Sequence, residues 1–132
     1  MIDHLNYNGY IVNSFSLEKI KNTNGGRYIT NYLEQNIAFY DKKDDVYPLA
    51  YKVDFELKAF DGSEEDANNL AYILKVNFDI NFISSNPHNE DYDNLFKEYG
   101  WLIKNYTYMA TKSIVENIIK NTPLEGMRLP NF

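Results

Sequence analysis

The most regular pattern of apolar and polar positions lies between Tyr72 and Phe82. Every second residue of this segment is apolar, and most of the residues between them are polar. Because successive side chains of a strand point to opposite faces, the pattern predicts a strand with one buried face. We expect that face to carry Tyr72, Leu74, Val76, Phe78, Ile80 and Phe82.

Further strands are predicted upstream, with decreasing regularity. Leu49 to Phe60 alternates almost as clearly, and the polar run that begins at Asp61-Gly62 should join it to the first segment as an antiparallel neighbour. Tyr10 to Leu17 is predicted as another strand. The aromatic stretch Tyr28 to Tyr40 alternates only weakly, and it predicts a strand at Ile37 to Tyr40 after an irregular loop.

The pattern changes to a helical one from Tyr92 onward. Apolar residues are then spaced by three and four, which predicts a short helical segment that Gly100 could interrupt. A clearer helix is predicted from Tyr106 to Lys120, and Pro123 should end it. The first segment carries Leu95, Phe96, Tyr99, Leu102 and Ile103.

Strands followed by helix indicate the α+β class, with the helices packed on one face of an antiparallel sheet. A chain of 132 residues has the size of one domain, so we expect residues 1–132 to form a single domain. Helices this short can cover only one face of the sheet. The other face should meet water or another copy of the chain.

Charge and composition then exclude several classes of partner. The formal net charge is -6 and the basic residues are scattered, which argues against nucleic acid and against membrane surfaces. No stretch has the length of a membrane span, and the acidic N-terminus lacks the features of a signal peptide. The absence of cysteine is compatible with a reducing cytoplasm, where we expect the protein to be located.

The sequence contains no recognisable catalytic or metal-binding arrangement. There is no cysteine nucleophile and no nucleophile-elbow motif. His4 and His88 lie in polar surroundings without a second ligand at suitable spacing, and the paired carboxylates lie in runs typical of solvated turns. We therefore expect no enzymatic activity, no metal and no cofactor.

Aromatic residues make up 16% of the chain, which is high. Strand propensity and a composition rich in Asn, Lys, Ile and Tyr explain this as well as a peptide-binding surface does. The stretch from Tyr99 to Met109 carries more apolar area than one short helix can bury on a small sheet. Such area indicates either an interaction surface or plain core packing.

Several segments, in order along the chain, resemble the SecB family of protein-export chaperones. Asn105 to Ile119, followed by Pro123 and the closing Leu129-Pro130-Asn131-Phe132, is similar to the helix of that family and the segment after it. Leu70 to Val76 resembles the strand that precedes the helix. Asp44 to Tyr47, with the strand after it, resembles the second long strand of the family, and Tyr10 to Glu18 resembles the first.

The resemblance implies a four-stranded antiparallel sheet backed by a long helix, assembled as a homodimer or homotetramer. It implies an ATP-independent chaperone that holds unfolded polypeptides in apolar grooves, either for export or to protect an antitoxin. We expect client contacts at Tyr32, Leu33, Tyr99, Trp101 and Leu102. By analogy, the face used in assembly should include Leu74, Val76 and Phe78.

The sequence also departs from the family pattern. The aromatic-Pro-Tyr-Ala-Arg motif is replaced by Tyr108 to Lys112, without the Pro and the Arg. The sheet positions that dock the SecA motor correspond to Ser14, Glu18 and Lys75, of which only Glu18 is acidic. Because Lys75 reverses the charge, SecA docking should be weakened. A structural or regulatory oligomer with the same fold and no client is the alternative function.

Overall fold

The protein is an α+β structure, in which a four-stranded antiparallel sheet carries one long helix on one face. The computed structural model describes residues 5–85, 92–120 and 122, with only the backbone of 92–94. The sheet has the order β1-β4-β3-β2, and all neighbouring strands are antiparallel. Its elements are β1 (Leu5–Lys19), β2 (Tyr28–Phe39), β3 (Tyr47–Phe60), β4 (Leu70–Ser84) and α1 (Tyr92–Ile119). The predicted fold class is confirmed.

The two central strands supply most of the core. Val53 lies opposite Phe78, and Phe55 lies opposite Val76, so the apolar positions of β3 and β4 share one face of the sheet. We call this the covered face. Burial of a large apolar side chain contributes about 1.5–3 kcal/mol, which makes this face the main source of stability. As predicted, the buried residues of β4 include Tyr72, Leu74, Val76, Phe78, Ile80 and Phe82.

A single helix packs on the covered face, where two helical segments were predicted. α1 is continuous from Tyr92 to Ile119, and Gly100 does not interrupt it. Glycine inside a helix costs about 1 kcal/mol relative to alanine, which the burial of several helical side chains outweighs. The buried apolar side chains of α1 are Leu95, Ile103, Ala110, Ile114, Val115 and Ile119. None of the described helical residues forms a stretch long and apolar enough to cross a membrane.

The predicted irregular loop before Ile37 is wrong, because β2 is a continuous strand from Tyr28 to Phe39. A register shift between Tyr32 and Glu34 explains the weak alternation. A bulge inserts one extra residue, so the apolar residues before and after it fall out of phase in the sequence although they share one face. Tyr32 lies opposite Phe55 before the shift, and Gln35 lies opposite Val53 after it.

The other face of the sheet, which we call the open face, carries a network of polar side chains. Asn13 Nδ2 donates to Asn77 Oδ1 at 2.8 Å and to Asp79 Oδ1 at 2.9 Å. Lys52 Nζ forms an ion pair with Asp79 Oδ2 at 3.0 Å, and Asn77 Nδ2 donates to Asp54 Oδ1. The hydrogen bond to Asp79 raises the pKa of Lys52, so this lysine stays charged. These five side chains therefore pair with one another without a covering layer.

Candidate functional site

A cleft opens at the margin of the covered face, between β2 and α1. Its volume is about 600 Å³, which is within the usual range for a site that binds a ligand or a peptide side chain. Its lining combines aromatic rings with a few polar groups, namely Tyr32, Gln35, Tyr51, Phe96, Gly100, Trp101, Lys104, Thr107 and Tyr108. The strand supplies one wall and consecutive turns of the helix supply the other.

Tyr32 is fixed on the strand side of the cleft by packing and by a hydrogen bond. Its ring centroid lies 5.2 Å from that of Phe55 and 6.0 Å from that of Tyr108. Its hydroxyl lies 2.7 Å from Thr111 Oγ1, and Thr111 Oγ1 is itself 2.7 Å from the backbone carbonyl of Thr107. Because the Thr111 proton is directed to that carbonyl, the Tyr32 hydroxyl is the donor.

The same surroundings keep Tyr32 neutral. Burial raises the pKa of the Tyr32 hydroxyl to about 12, and the hydrogen bond to Thr111 only partly opposes this effect. The phenol is therefore uncharged at any physiological pH. It presents an aromatic face, with its one polar atom already satisfied.

Tyr51 and Gly100 shape the part of the cleft nearest the start of the helix. The Tyr51 hydroxyl donates to Gln35 Oε1, and the Tyr51 ring centroid lies 5.5 Å from that of Phe96. A Cβ atom at Gly100 would lie 3.2 Å from Cδ1 of Phe96, which is closer than ordinary contact. The missing side chain at Gly100 therefore leaves room in front of Phe96.

The rim of the cleft is exposed. Trp101 is 63% exposed, an unusual position for the only tryptophan of the chain. Lys104 Nζ lies 5.8 Å from the centroid of the Tyr108 ring, within the range of a cation–π interaction. An entering side chain would meet aromatic surface on both walls and one positive charge at the rim.

The structure brings two of the five predicted client residues into this cleft, Tyr32 and Trp101. Tyr99 and Leu102 instead pack, partly buried, against the core. Leu33 is 52% exposed and lines a separate groove of about 420 Å³, together with open-face residues such as Asp54. Whether any of the five contacts a client stays a prediction.

Sequence reasoning missed most of the cleft, although part of it follows a simple spacing. Phe96, Gly100, Lys104 and Tyr108 are four residues apart and so lie on one side of α1. This repeat becomes visible only when 92–119 is read as one helix. Gln35 and Tyr51 gave no comparable signal, because their proximity depends on strand pairing.

The predicted assembly residues are not at the surface. Leu74, Val76 and Phe78 are at most 2% exposed, because α1 of the same chain helps to enclose the covered face. Their part in an assembly face stays a prediction. No exposed area at these positions could contact a second copy in this conformation.

Exposed apolar area lies instead along the edge strand β1. Ile11 and Phe15 are each 59% exposed, and Tyr7, Tyr10 and Val12 are exposed to a lesser degree. Strand β1 pairs with β4 on one side only, so its other side presents backbone groups without a strand partner among the described residues. An apolar edge strand of this kind is suited to contact with another polypeptide.

The predicted SecA-docking positions share the open face. Ser14 lies opposite Asn77, Ser16 opposite Lys75, and Glu18 opposite Ile73, so Ser14, Glu18 and Lys75 point to the same side of the sheet. Their part in docking a motor protein stays a prediction. The histidines considered as metal ligands, His4 and His88, lie outside the described residues; among those described, no group of three or more suitable side chains could hold a metal ion.

These features define an α+β sheet protein with an aromatic cleft between β2 and α1. No protein-family model and no curated protein sequence matches the chain. A solved structure does: a SecB-like chaperone of Mycobacterium tuberculosis in complex with a ChAD peptide from the HigA1 antitoxin. The TM-score is 0.68 at 8% identity, and the match covers 98% of this chain and 91% of that one. The fold is SecB-like.

Proposed function

We propose that this chain is an ATP-independent chaperone that holds unfolded polypeptide segments at the cleft between β2 and α1. The observation that carries the proposal is the aromatic cleft itself, with the exposed Trp101 at its rim and the fixed ring of Tyr32 inside it. Aromatic surface binds many apolar side chains without a demand for one sequence. Preferential binding of the unfolded state is enough to keep a client from aggregating.

The solved structure of similar fold supports a polypeptide client, since that chaperone binds a peptide of an antitoxin. For this chain we extend the proposal to a specific client such as an antitoxin, or to proteins kept unfolded for export, in the cytoplasm. The charge reversal at Lys75 favours a role without the SecA motor.

The exposed apolar edge of β1 favours assembly into a homodimer or homotetramer. It also supports the alternative function, a structural or regulatory oligomer that binds no client. In that case the β1 edge would form the contact between copies, and the cleft would bind no client.

The two functions are separated by an aggregation assay with a chemically denatured model protein. The chain should suppress light scattering at near-stoichiometric amounts, and Trp101→Ala should weaken suppression several-fold. Met109→Ala is the matched control, because Met109 is 65% exposed on the same helix but does not line the cleft. Absence of suppression with several denatured proteins, in a chain that light scattering shows to be oligomeric, would favour the alternative.

A further inference from the structure

Lysines and aromatic residues alternate along the side of α1 that borders the cleft. They are spaced by three or four residues and therefore lie along one stripe of the helix. The lysine–aromatic stripe consists of Lys97, Trp101, Lys104, Tyr108 and Lys112. Lys97, Trp101 and Lys104 are exposed, and the last two are partly buried.

Among the described residues, no carboxylate forms an ion pair with a lysine of this stripe. The ion pairs in this part of the chain involve Arg27, Lys42, Lys52 and Lys58. Lys104 is held over the Tyr108 ring, and the cleft lining includes no carboxylate. The stripe is therefore a local cationic surface on an acidic protein.

The described carboxylates that are near the cleft in sequence form no ion pair with the stripe. Glu34 adjoins the cleft residue Gln35, but it pairs in register with Asp54 on the open face of the sheet. Glu98 lies three residues before Trp101 and Glu116 lies four residues after Lys112, so both adjoin the edge of the stripe, but neither lines the cleft. The net charge of -6 is spread over the chain, and at physiological salt it is screened beyond about 8 Å. Lys104 is the one charged side chain that lines the cleft among the described residues.

We propose that the cleft selects client segments in which aromatic or aliphatic residues are interspersed with carboxylates. This inference rests on the proposed chaperone function and names the chemistry of its client. Apolar side chains would enter between Tyr32 and Trp101, and a neighbouring carboxylate would meet Lys104 at the rim. A basic residue at the same place would face the ammonium group of Lys104. Each exposed charge contact should change the affinity by about 1.5- to 5-fold.

The test uses three labelled peptides of equal length and identical Phe and Leu spacing, with Glu, Ser or Lys at the intervening positions. Fluorescence anisotropy with the full chain should rank affinity as acidic, then neutral, then basic, with roughly tenfold between the extremes. The difference should shrink when the salt concentration rises from about 50 to about 300 mM.

Two lysine variants test whether the preference for acidic peptides depends on the lysine–aromatic stripe. Lys104→Gln should weaken binding of the acidic peptide by about 1.5- to 5-fold and leave the neutral peptide unchanged. Lys75→Gln is the control, since Lys75 is an exposed lysine on the open face, and it should change neither affinity.

The outcomes that overturn the inference differ from those that overturn the function. If all three peptides bind with equal affinity, or if Lys104→Gln does not change the affinity of the acidic peptide, the preference for carboxylates is contradicted. The proposed chaperone function would still stand. Failure of every peptide to bind, together with no suppression of aggregation, would remove both. If peptide binding is lost as the protein concentration rises, the stripe contacts another copy of the chain. This result would also contradict the preference for carboxylates.

Discussion

Phe78 and Asp79 are neighbours in β4, yet their side chains point to opposite faces of the sheet and meet different surroundings. Phe78 is 1% exposed, lies opposite Val53 and belongs to the core that α1 completes. Asp79 accepts a hydrogen bond from Asn13 and pairs with Lys52 on the open face. The covered face is stabilised by apolar burial, whereas the open face is ordered by polar contacts that water could replace.

The comparison also explains where the candidate site lies. Part of the open face is occupied by a network of hydrogen bonds, and the middle of the covered face is filled by core side chains. At the margin between β2 and α1, aromatic surface remains accessible and forms a cleft. A site for apolar client segments is therefore expected at the border between the covered face and solvent.

The largest effect on the free energy of unfolding is expected from truncation of a buried side chain on the covered face. Phe78→Ala removes a fully buried ring and leaves a cavity, so the free energy of unfolding should fall by about 3–5 kcal/mol. Urea denaturation followed by circular dichroism measures this change. The adjacent Asp79→Asn should lower stability by about 1 kcal/mol or less, because Lys52, its ion-pair partner, is 42% exposed on its side chain.

The stability losses of Asp79→Asn and Phe78→Ala can contradict this comparison of the two faces directly. A loss for Asp79→Asn as large as that for Phe78→Ala would show that the polar network is essential to the fold. A small loss for Phe78→Ala would mean that the covered face is packed much more loosely than the structure shows.

A smaller effect is expected from the Tyr32 hydroxyl, which connects β2 to α1 at the cleft. Tyr32→Phe removes the hydrogen bond to Thr111 but keeps the ring, so the free energy of unfolding should fall by about 1 kcal/mol. Tyr7→Phe is the control, because Tyr7 is 37% exposed and does not line the cleft. Equal losses for the two variants would show that the Tyr32–Thr111 hydrogen bond has no net effect on stability.

The pKa of Tyr32 adds a pH dependence to this prediction. Because burial raises the folded-state pKa from 10.0 to about 12, folding favours the protonated phenol. The stabilisation should be fully present below pH 10 and should be lost as the pH rises towards 12. In Tyr32→Phe the alkaline decline of stability should be shallower, as measured by urea midpoints across this range. An unchanged decline would contradict the proposed burial of the hydroxyl.

The sequence predicted the covered face well because every second residue of β3 and β4 has to be apolar there. It failed at β2, where the bulge after Tyr32 shifts the phase of the pattern, and at Gly100, where tertiary burial overrides a weak helix propensity. It placed Tyr32 and Trp101 in the candidate site and missed Tyr51, whose ring meets Phe96 only because α1 crosses the sheet. The periodicity of a sequence predicts which residues share one face of a strand or helix, but it does not predict where two such elements come into contact.

The smallest effect on stability, and the most informative one for the cleft, is expected from Gly100→Ala. Alanine in a helix is favoured over glycine by about 1 kcal/mol, and displacement of the Phe96 ring should offset part of this, which leaves a net gain of roughly 0.5 kcal/mol. The new methyl group also enters the cleft, so peptide binding should weaken by up to about fivefold. Asn105→Ala is the matched control, because it brings a similar gain in helix propensity at an exposed position outside the cleft. If both variants bind peptide as the parent chain does, the client does not occupy the space in front of Phe96, and the site must be sought elsewhere along the border of the covered face.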